Sequence, residues 1–308
     1  MFKYTLDNKR YQTLNYFYKN KFGIKIFKLS LNAGFTCPNL DGKVGYGGCI
    51  YCSKTGSGEF GGNRLDSLSK QVNYMKKIVN KKNIPCKYIG YFQARTNTYA
   101  PVSILKEKYE EVLASKDIIG LNIATRCDAI SEVCLDYLTE LNKKTFLTIE
   151  LGLQTIHEKT SELINRCHTL EQFDKMVYEL RKRNINVVVH IINGLPYETE
   201  EMMLDTIKHL NKLDIQGIKI HMLHIIKDTE MARLYEMEKF HILTKDEYMD
   251  IVIKQLELLN PKIVINRITS DPDKEDLLEP VWLIKKCQLL NDIDKEMKKR
   301  NTYQGINA

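Results

Sequence analysis

Residues 25–52 read KIFKLSLNAGFTCPNLDGKVGYGGCIYC. The first seven of these residues alternate and cluster apolar side chains as a short strand does. A loop rich in glycine and cysteine follows at once and runs to about residue 63. It carries Cys37, Cys49 and Cys52, with eleven residues between the first two and two between the last pair. Glycines such as Gly45, Gly47 and Gly48 allow tight turns and close backbone approach, as wrapping a bulky group requires.

Beyond this loop the pattern becomes regular. Strands are expected at 87–92, 118–124, 145–153, 186–192 and 217–223, and helices at 67–82, 102–114, 131–142, 170–183 and 199–213. Six strands separated by helices indicate parallel βαβ units. Right-handed crossovers curl such units into a barrel or an open doubly wound sheet, and periodicity does not choose between them. After residue 225 the rhythm changes. Helices at 245–258 and 281–300 flank a short strand candidate at 263–265, and no Pro- or Ser-rich linker intervenes. The organisation expected is a basic aromatic N-terminal arm (1–28), a core (29–225) and a helical C-terminal extension packed on that core (226–308).

The chain has 308 residues and a formal net charge of +7. It contains no run of eighteen apolar residues, so no membrane span is expected. The start, MFKYTLDNKRYQ, has no apolar signal region, and a cytoplasmic location is expected. There a tight cysteine cluster reads as metal binding rather than as disulfides. Residues 1–28 carry seven basic side chains, among them Lys9, Arg10, Lys19 and Lys21, against Asp7 alone. Aromatic residues (Phe2, Tyr4, Tyr11, Tyr16, Phe17, Tyr18, Phe22, Phe27) are interleaved with them. Cations that bind phosphate beside rings that stack on bases suit RNA, while a solvated basic face with its aromatics packed inward explains the segment equally well.

Thiolates favour iron–sulfur clusters or zinc, and the spacing leaves both open. Structural zinc takes four closed ligands, and no fourth cysteine or histidine lies nearby. Three thiolates on a four-iron cluster leave one iron free for a reactive ligand. The trio follows the first strand of a βα series, and ligand loops in such folds gather at the carboxyl ends of strands. That context favours the cluster.

The motif Cys…Cys-x-aromatic-Cys after a first strand resembles the radical S-adenosylmethionine (SAM) superfamily. The long first gap is similar to that of the branch related to the catalytic subunit of Elongator. Further segments resemble the same branch: TRCD (125–128), ELGLQT (150–155), INRCHT (164–169) and NGLPYET (193–199). NRITSDP (266–272), EPVW (279–282) and TYQG (302–305) extend the resemblance over nearly the whole chain, to the YhcC/YtqA-type family. The resemblance implies an α/β fold, a partial (β/α)6 TIM-like barrel open on one side. It also implies a [4Fe–4S] cluster on Cys37, Cys49 and Cys52, and SAM cleaved reductively to a 5′-deoxyadenosyl radical. An electron donor such as flavodoxin or ferredoxin is implied as a partner.

By the same resemblance Tyr51 lies near the adenine, Gln93 near the SAM amino group and Thr125 near the ribose or carboxylate. Gln154 and Arg166 match SAM-contacting positions, a guanidinium being apt for a carboxylate. Glu150 contacts ribose or pairs with a cation at the barrel mouth. His190 stands where some relatives carry a carboxylate and reads equally as a core histidine. Cys127, Cys134 and Cys167 read as packing residues or free thiols, with Cys127 close to the expected pocket. His221 and His224 fall on opposite faces if both lie in a strand, which argues against a metal site. No catalytic residue is singled out. The substrate implied is a transfer RNA (tRNA) wobble uridine, converted from its 5-carboxymethylaminomethyl to its 5-aminomethyl form. Two alternatives stand beside this: a radical SAM enzyme for a small molecule or peptide, and a non-catalytic zinc-containing RNA-binding protein.

Overall fold

The computed structural model describes residues 8–308 other than Ser57 and Glu59. Phe2, Lys3, Tyr4 and Asp7 of the N-terminal segment lie outside the described residues. In chain order the elements begin with α1 (Leu14–Phe22), β1 (Lys25–Leu31), α2 (Leu68–Val79), β2 (Cys86–Phe92), α3 (Val102–Leu113) and β3 (Ile118–Thr125). There follow α4 (Glu132–Lys144), β4 (Phe146–Gln154), α5 (Glu158–Leu163), α6 (Leu170–Lys182), β5 (Asn186–Asn193), α7 (Glu200–Leu210) and β6 (Gly217–Met222). The remainder is β7 (Ile225–Ile226), α8 (Glu230–Glu238), α9 (Lys245–Leu258), β8 (Val264–Arg267), β9 (Leu277–Glu279) and α10 (Lys286–Lys299).

Helix starts are written in the sequence as hydroxyl caps. Ser67, Ser131, Thr169, Thr199, Thr229 and Thr244 each accept a backbone N–H from the first turn of the helix that follows. Gln172 and Glu247 reach back to complete capping boxes at α6 and α9. Each cap stabilises its helix by about 1 kcal/mol.

Seven strands form one parallel sheet in the order β1-β2-β3-β4-β5-β6-β8. β1 and β8 end this order unpaired with one another, so the curl is an open barrel. The expected partial barrel therefore stands, with one strand more than the six expected. The C-terminal segment supplies it: β8, anticipated only as a short isolated run, pairs in parallel with β6. β7 and β9 make a separate antiparallel pair. Gly120 is required where β3 meets β4, because a Cβ there would lie 2.3 Å from the Phe146 carbonyl oxygen. The buried core lies between the outer faces of the sheet and the surrounding helices, and includes Leu121, Leu138, Ile149, Phe173 and Tyr248.

The N-terminal segment has a structural task. Ile265 N donates to the Gln12 carbonyl at 2.8 Å, and Thr13 bridges Ile265, so residues 12–13 run along the free edge of β8. α1 then leads to β1, and its Tyr18 packs with Ile26 and Ile89, joined by Leu14, Phe17, Phe22 and Phe146. Ile26 and Phe146 lie at the starts of β1 and β4, so α1 plugs the amino-terminal end of the open barrel. Lys9 pairs with Asp294, Arg10 donates to the Thr302 carbonyl at 3.1 Å, and Lys25 donates to Asn15. The inward-packing reading of this segment therefore holds for Tyr18 and its neighbours, and these rings are not open to bases. The sequence motif TYQG serves the same junction. Gln304 accepts from Gln12 N at 2.8 Å and donates to the carbonyls of Asn260 and Ile263.

Replacing Tyr18 by alanine removes the centre of this plug and should lower the unfolding free energy by about 3 kcal/mol, read from urea denaturation. Neutralising the exposed Lys19 and Lys21 should change it by less than about 0.5 kcal/mol.

Candidate active site at the mouth of the open barrel

At the opposite end, the carboxyl ends of the strands enclose a cavity of about 390 Å³. The loop after β1 brings Cys37, Cys49 and Cys52 to its wall. Tyr51, Gln93, Thr125, Glu150 and Gln154 line the same space, as does His190. Arg166 does not.

The cysteine loop is held from below by the segment 164–169. Asn39 Nδ2 donates to the Asn165 carbonyl at 2.6 Å, and Asn165 Nδ2 donates to the carbonyls of Tyr46 and Gly48. Ile50 N donates to the Ile164 carbonyl at 3.1 Å. Arg166, 1 % exposed, anchors that segment to the end of β4. Its guanidinium donates to the carbonyls of Leu153, Thr155 and His168 at 2.5–3.1 Å. Four of its hydrogen bonds thus go to backbone carbonyls, and the side chain braces this segment. Three guanidinium side chains do line the cavity, those of Arg95, Arg126 and Arg267; sequence reasoning passed over Arg126 although it lies within TRCD. Asp128 grips it with two bonds, of 2.8 and 2.6 Å, and Arg126 Nη2 also donates to the Arg166 carbonyl. Burial opposes its charge, but Asp128 holds the guanidinium above its ordinary range.

The three thiols differ electrostatically. The Cys52 thiol hydrogen-bonds to Cys49 and lowers it to about 6, against burial and with help from Arg126. That same bond, with burial, pushes Cys52 up. Asn39 Nδ2 also donates to Cys49 Sγ at 3.7 Å. No group of three or more His, Cys, Asp or Glu side chains among the described residues gathers around a single metal position. A four-iron cluster takes one thiolate per iron, so three separated soft donors beside a fixed cation fit such a cluster. The other cysteines lie elsewhere: Cys127 and Cys134 are buried in the core, with Cys127 pushed up to about 12 by burial, and Cys167 is exposed and donates to Asn165 Oδ1.

Thr125 ends β3 and shares a hydrogen bond of 2.6 Å with Thr98. Gln154 ends β4 at a bulge with φ +64°, and its amide folds back over Gly152, where a Cβ would meet it at 2.5 Å. Gly152 is thus the space into which Gln154 turns. Tyr51 lines the cavity and also packs with Ile164, Leu223 and Met231.

Glu150 lies deeper than expected, on the cavity floor. One oxygen accepts from Asn122 Nδ2 (2.7 Å) and Lys28 Nζ (3.2 Å). The other accepts from His190 Nε2 (2.8 Å) and Lys219 Nζ. Both oxygens are engaged in ion pairs. Burial disfavours its charge, yet Lys219 and Lys28 hold the carboxyl well below its usual range. Burial and Lys219 lower His190 to about 4, so at neutral pH it is an uncharged donor. His221 and His224 both line the cavity, contrary to the period-two argument, because β6 ends at Met222 and the alternation stops before His224.

Two outcomes follow. Arg166→Met leaves three buried carbonyls without their donor and should cost about 3 kcal/mol or more by thermal or urea unfolding. His190 binds fewer protons folded than unfolded between pH 6.5 and 4, so stability falls as pH drops through that window. The loss from this group is about 3 kcal/mol by pH 4. His190→Gln should flatten that part of the pH–stability curve; an unchanged slope contradicts the assignment.

Comparison with known proteins agrees with this geometry. The Radical SAM superfamily model matches residues 46–210, and the Radical_SAM C-terminal domain model matches 215–299. The uncharacterized protein YtqA of Bacillus subtilis is 48% identical over 99% of this chain and 94% of its own. Protein YhcC of Escherichia coli is 31% identical over 89% of this chain and 88% of its own. The tRNA uridine(34) acetyltransferase of Methanocaldococcus jannaschii is 24% identical over 68% of this chain and 40% of its own. Among solved structures, archaeal Methanocaldococcus infernus Elp3 superposes with a TM-score of 0.72 at 18% identity, over 91% of this chain and 64% of that longer one. No helix among the described residues is long and apolar enough to cross a membrane. The chain belongs to the radical SAM superfamily, in the family of YtqA and YhcC, and is an enzyme that works with a [4Fe–4S] cluster and SAM.

Proposed function

We propose that this enzyme modifies tRNA in the cytoplasm, converting a 5-carboxymethylaminomethyl wobble uridine to its 5-aminomethyl form. The observation that carries the reading is the shared cavity, which joins three thiols at its mouth to a polar, cationic floor. Cys37, Cys49 and Cys52 hold the cluster. Tyr51, Gln93, Thr125 and Gln154 surround SAM, and Arg126 takes the carboxylate-facing role first expected of Arg166. Bound together, cluster and SAM supply a 5′-deoxyadenosyl radical that removes a hydrogen atom from substrate. In the net reaction the methylene beside the substrate carboxylate loses that hydrogen atom and one electron, which balances the electron delivered by a flavodoxin- or ferredoxin-type donor. The adjoining nitrogen loses a proton, and water adds across the resulting C=N bond. The products are the aminomethyl nucleoside and glyoxylate. The chain's own part is to hold the reacting carbon in place and shield it from solvent.

The similarity to a tRNA uridine(34) acetyltransferase supports RNA as the partner. The contact surface belongs at the cavity mouth, since α1 lies at the far end. There Tyr46 is 77% and Phe60 54% exposed, in the loop that also carries the exposed Lys43 and Lys54. Exposed rings beside surface cations suit an unpaired nucleotide; Lys54 pairs at the surface with Asp228 at 3.2 Å, and Lys43 lies over the Tyr99 ring.

In cells lacking the protein, tRNA should accumulate the carboxymethylated nucleoside, measured by mass spectrometry. An unchanged nucleoside profile contradicts the reading. Cys52→Ala should abolish 5′-deoxyadenosine formation by the reconstituted enzyme. Replacing Lys43 and Lys54 by glutamine should weaken tRNA binding and reduce the slope of log affinity against log salt by about 1 to 2. The same change at Lys19 and Lys21 should leave both unaltered.

A further inference from the structure

The cavity has two unlike walls. The cysteine loop forms one. β6, β8 and the turn after β8 form the other, which presents Lys219, His221 and Arg267. Nothing in the cluster and SAM assignment uses this second wall.

Its floor is cationic, while its rim carries Asp271, Asp273 and Asp276. On the floor a single carboxylate, Glu150, answers two ammonium groups, Lys28 and Lys219. Lys219 also donates to the Tyr91 hydroxyl at 2.8 Å, which leaves one of its three protons without an acceptor among the described residues. Higher up, Asp271 is shared between Arg267, at 3.3 Å, and Lys286, so it orients the Arg267 guanidinium without fully cancelling it. Between them stands His221. Its Nδ1 lies 3.3 Å from Ser270 Oγ, and its Nε2 is buried with no hydrogen-bond partner among the described residues. An unpaired buried ring nitrogen is destabilising unless something bonds to it. Asp273 and Asp276 also border the cavity, and Asp273 Oδ1 is taken by Glu275 N.

Resting on the function proposed above, we infer that Lys219, His221 and Arg267 form a receptor for a substrate carboxylate, which fixes the methylene next to it between this wall and the cysteine loop. A carboxylate supplies the missing negative charge and accepts from Lys219, His221 Nε2 and the guanidinium. Burial brings Lys219 down to about 7, so the wall is only part-charged when empty, and an entering carboxylate draws the proton on. The geometry also accounts for selection. A product stripped of its carboxyl group has nothing to satisfy these donors and leaves.

The test uses the reconstituted enzyme with SAM and two free nucleosides, 5-carboxymethylaminomethyluridine and its carboxamide, titrated by calorimetry. The acid should bind about tenfold or more tighter than the amide. Arg267→Gln, which alters a half-exposed side chain and spares the fold, should lose most of that preference, and so should His221→Phe. Equal or undetectable binding of the two nucleosides to the wild type overturns the inference. So does a preference that survives in both variants. Retained discrimination alongside an unchanged tRNA nucleoside profile separates the two claims: the carboxylate receptor stands, and the tRNA reading fails.

Discussion

A carboxylate that is 1% exposed sits inside an open barrel, and the site above it depends on how that charge is neutralised. Glu150 projects from β4 and is met by Lys28 of β1, Asn122 of β3, His190 of β5 and Lys219 of β6, with Tyr91 of β2 joined through Lys219. Five of the other six strands thus converge on one residue of the middle strand. Burying such a cluster is expensive, and breaking one of its pairs typically costs about 3–5 kcal/mol because the remaining charge is stranded. The knot therefore does little for net stability and much for shape. It fixes how far the sheet curls, which the absent pairing of β1 with β8 leaves undetermined.

The second constraint is the brace at 164–169. Each of its polar groups is bonded to a different neighbour: Asn165 to the cysteine loop, the Arg166 side chain to the end of β4, and the Arg166 carbonyl to Arg126. Radical chemistry needs its reacting atoms held closely, and a glycine-rich loop does not hold itself. The brace is bonded both to the loop and to the middle strand of the sheet, and so ties one to the other. Asp228 and α8 add a further hold from the other side, where Met231 N donates to the Ile50 carbonyl at 2.9 Å.

The sequence made the local features legible. The cysteine spacing, the glycine crowding and the strand–helix rhythm are each contained in a few dozen residues, and the six core strands fall within about a residue or two of expectation. What stayed hidden depends on contacts between distant segments. Arg166 resembles a ligand-binding arginine in its motif, and only the fold brings the Leu153 and Thr155 carbonyls to it. The place of Arg126 at the cavity could have been suspected from Asp128 two positions on, a spacing that lets a carboxylate grip and orient a guanidinium. α1 mixes bases and aromatics without a clear stripe, because it covers a barrel opening and not a flat face. β8 is short and amphipathic, and its place in the sheet follows from the vacant edge of β6.

These constraints meet in the geometry of the gap. The cysteine loop is anchored to β1, one free edge of the sheet, while Lys219, His221 and Arg267 come from β6 and β8 at the other edge. The two walls of the cavity are thus the two ends of a single open sheet, and no backbone pairing sets the distance between them. That distance is set at two other levels. At the amino-terminal end, residues 12–13 and α1 link the edge of β8 to β1. Halfway up, Glu150 draws Lys28 of β1 and Lys219 of β6 to one point. A barrel closed by hydrogen bonds would have a fixed lumen. An open one, strapped at its base and tied at its middle, keeps its mouth open while holding both walls in register.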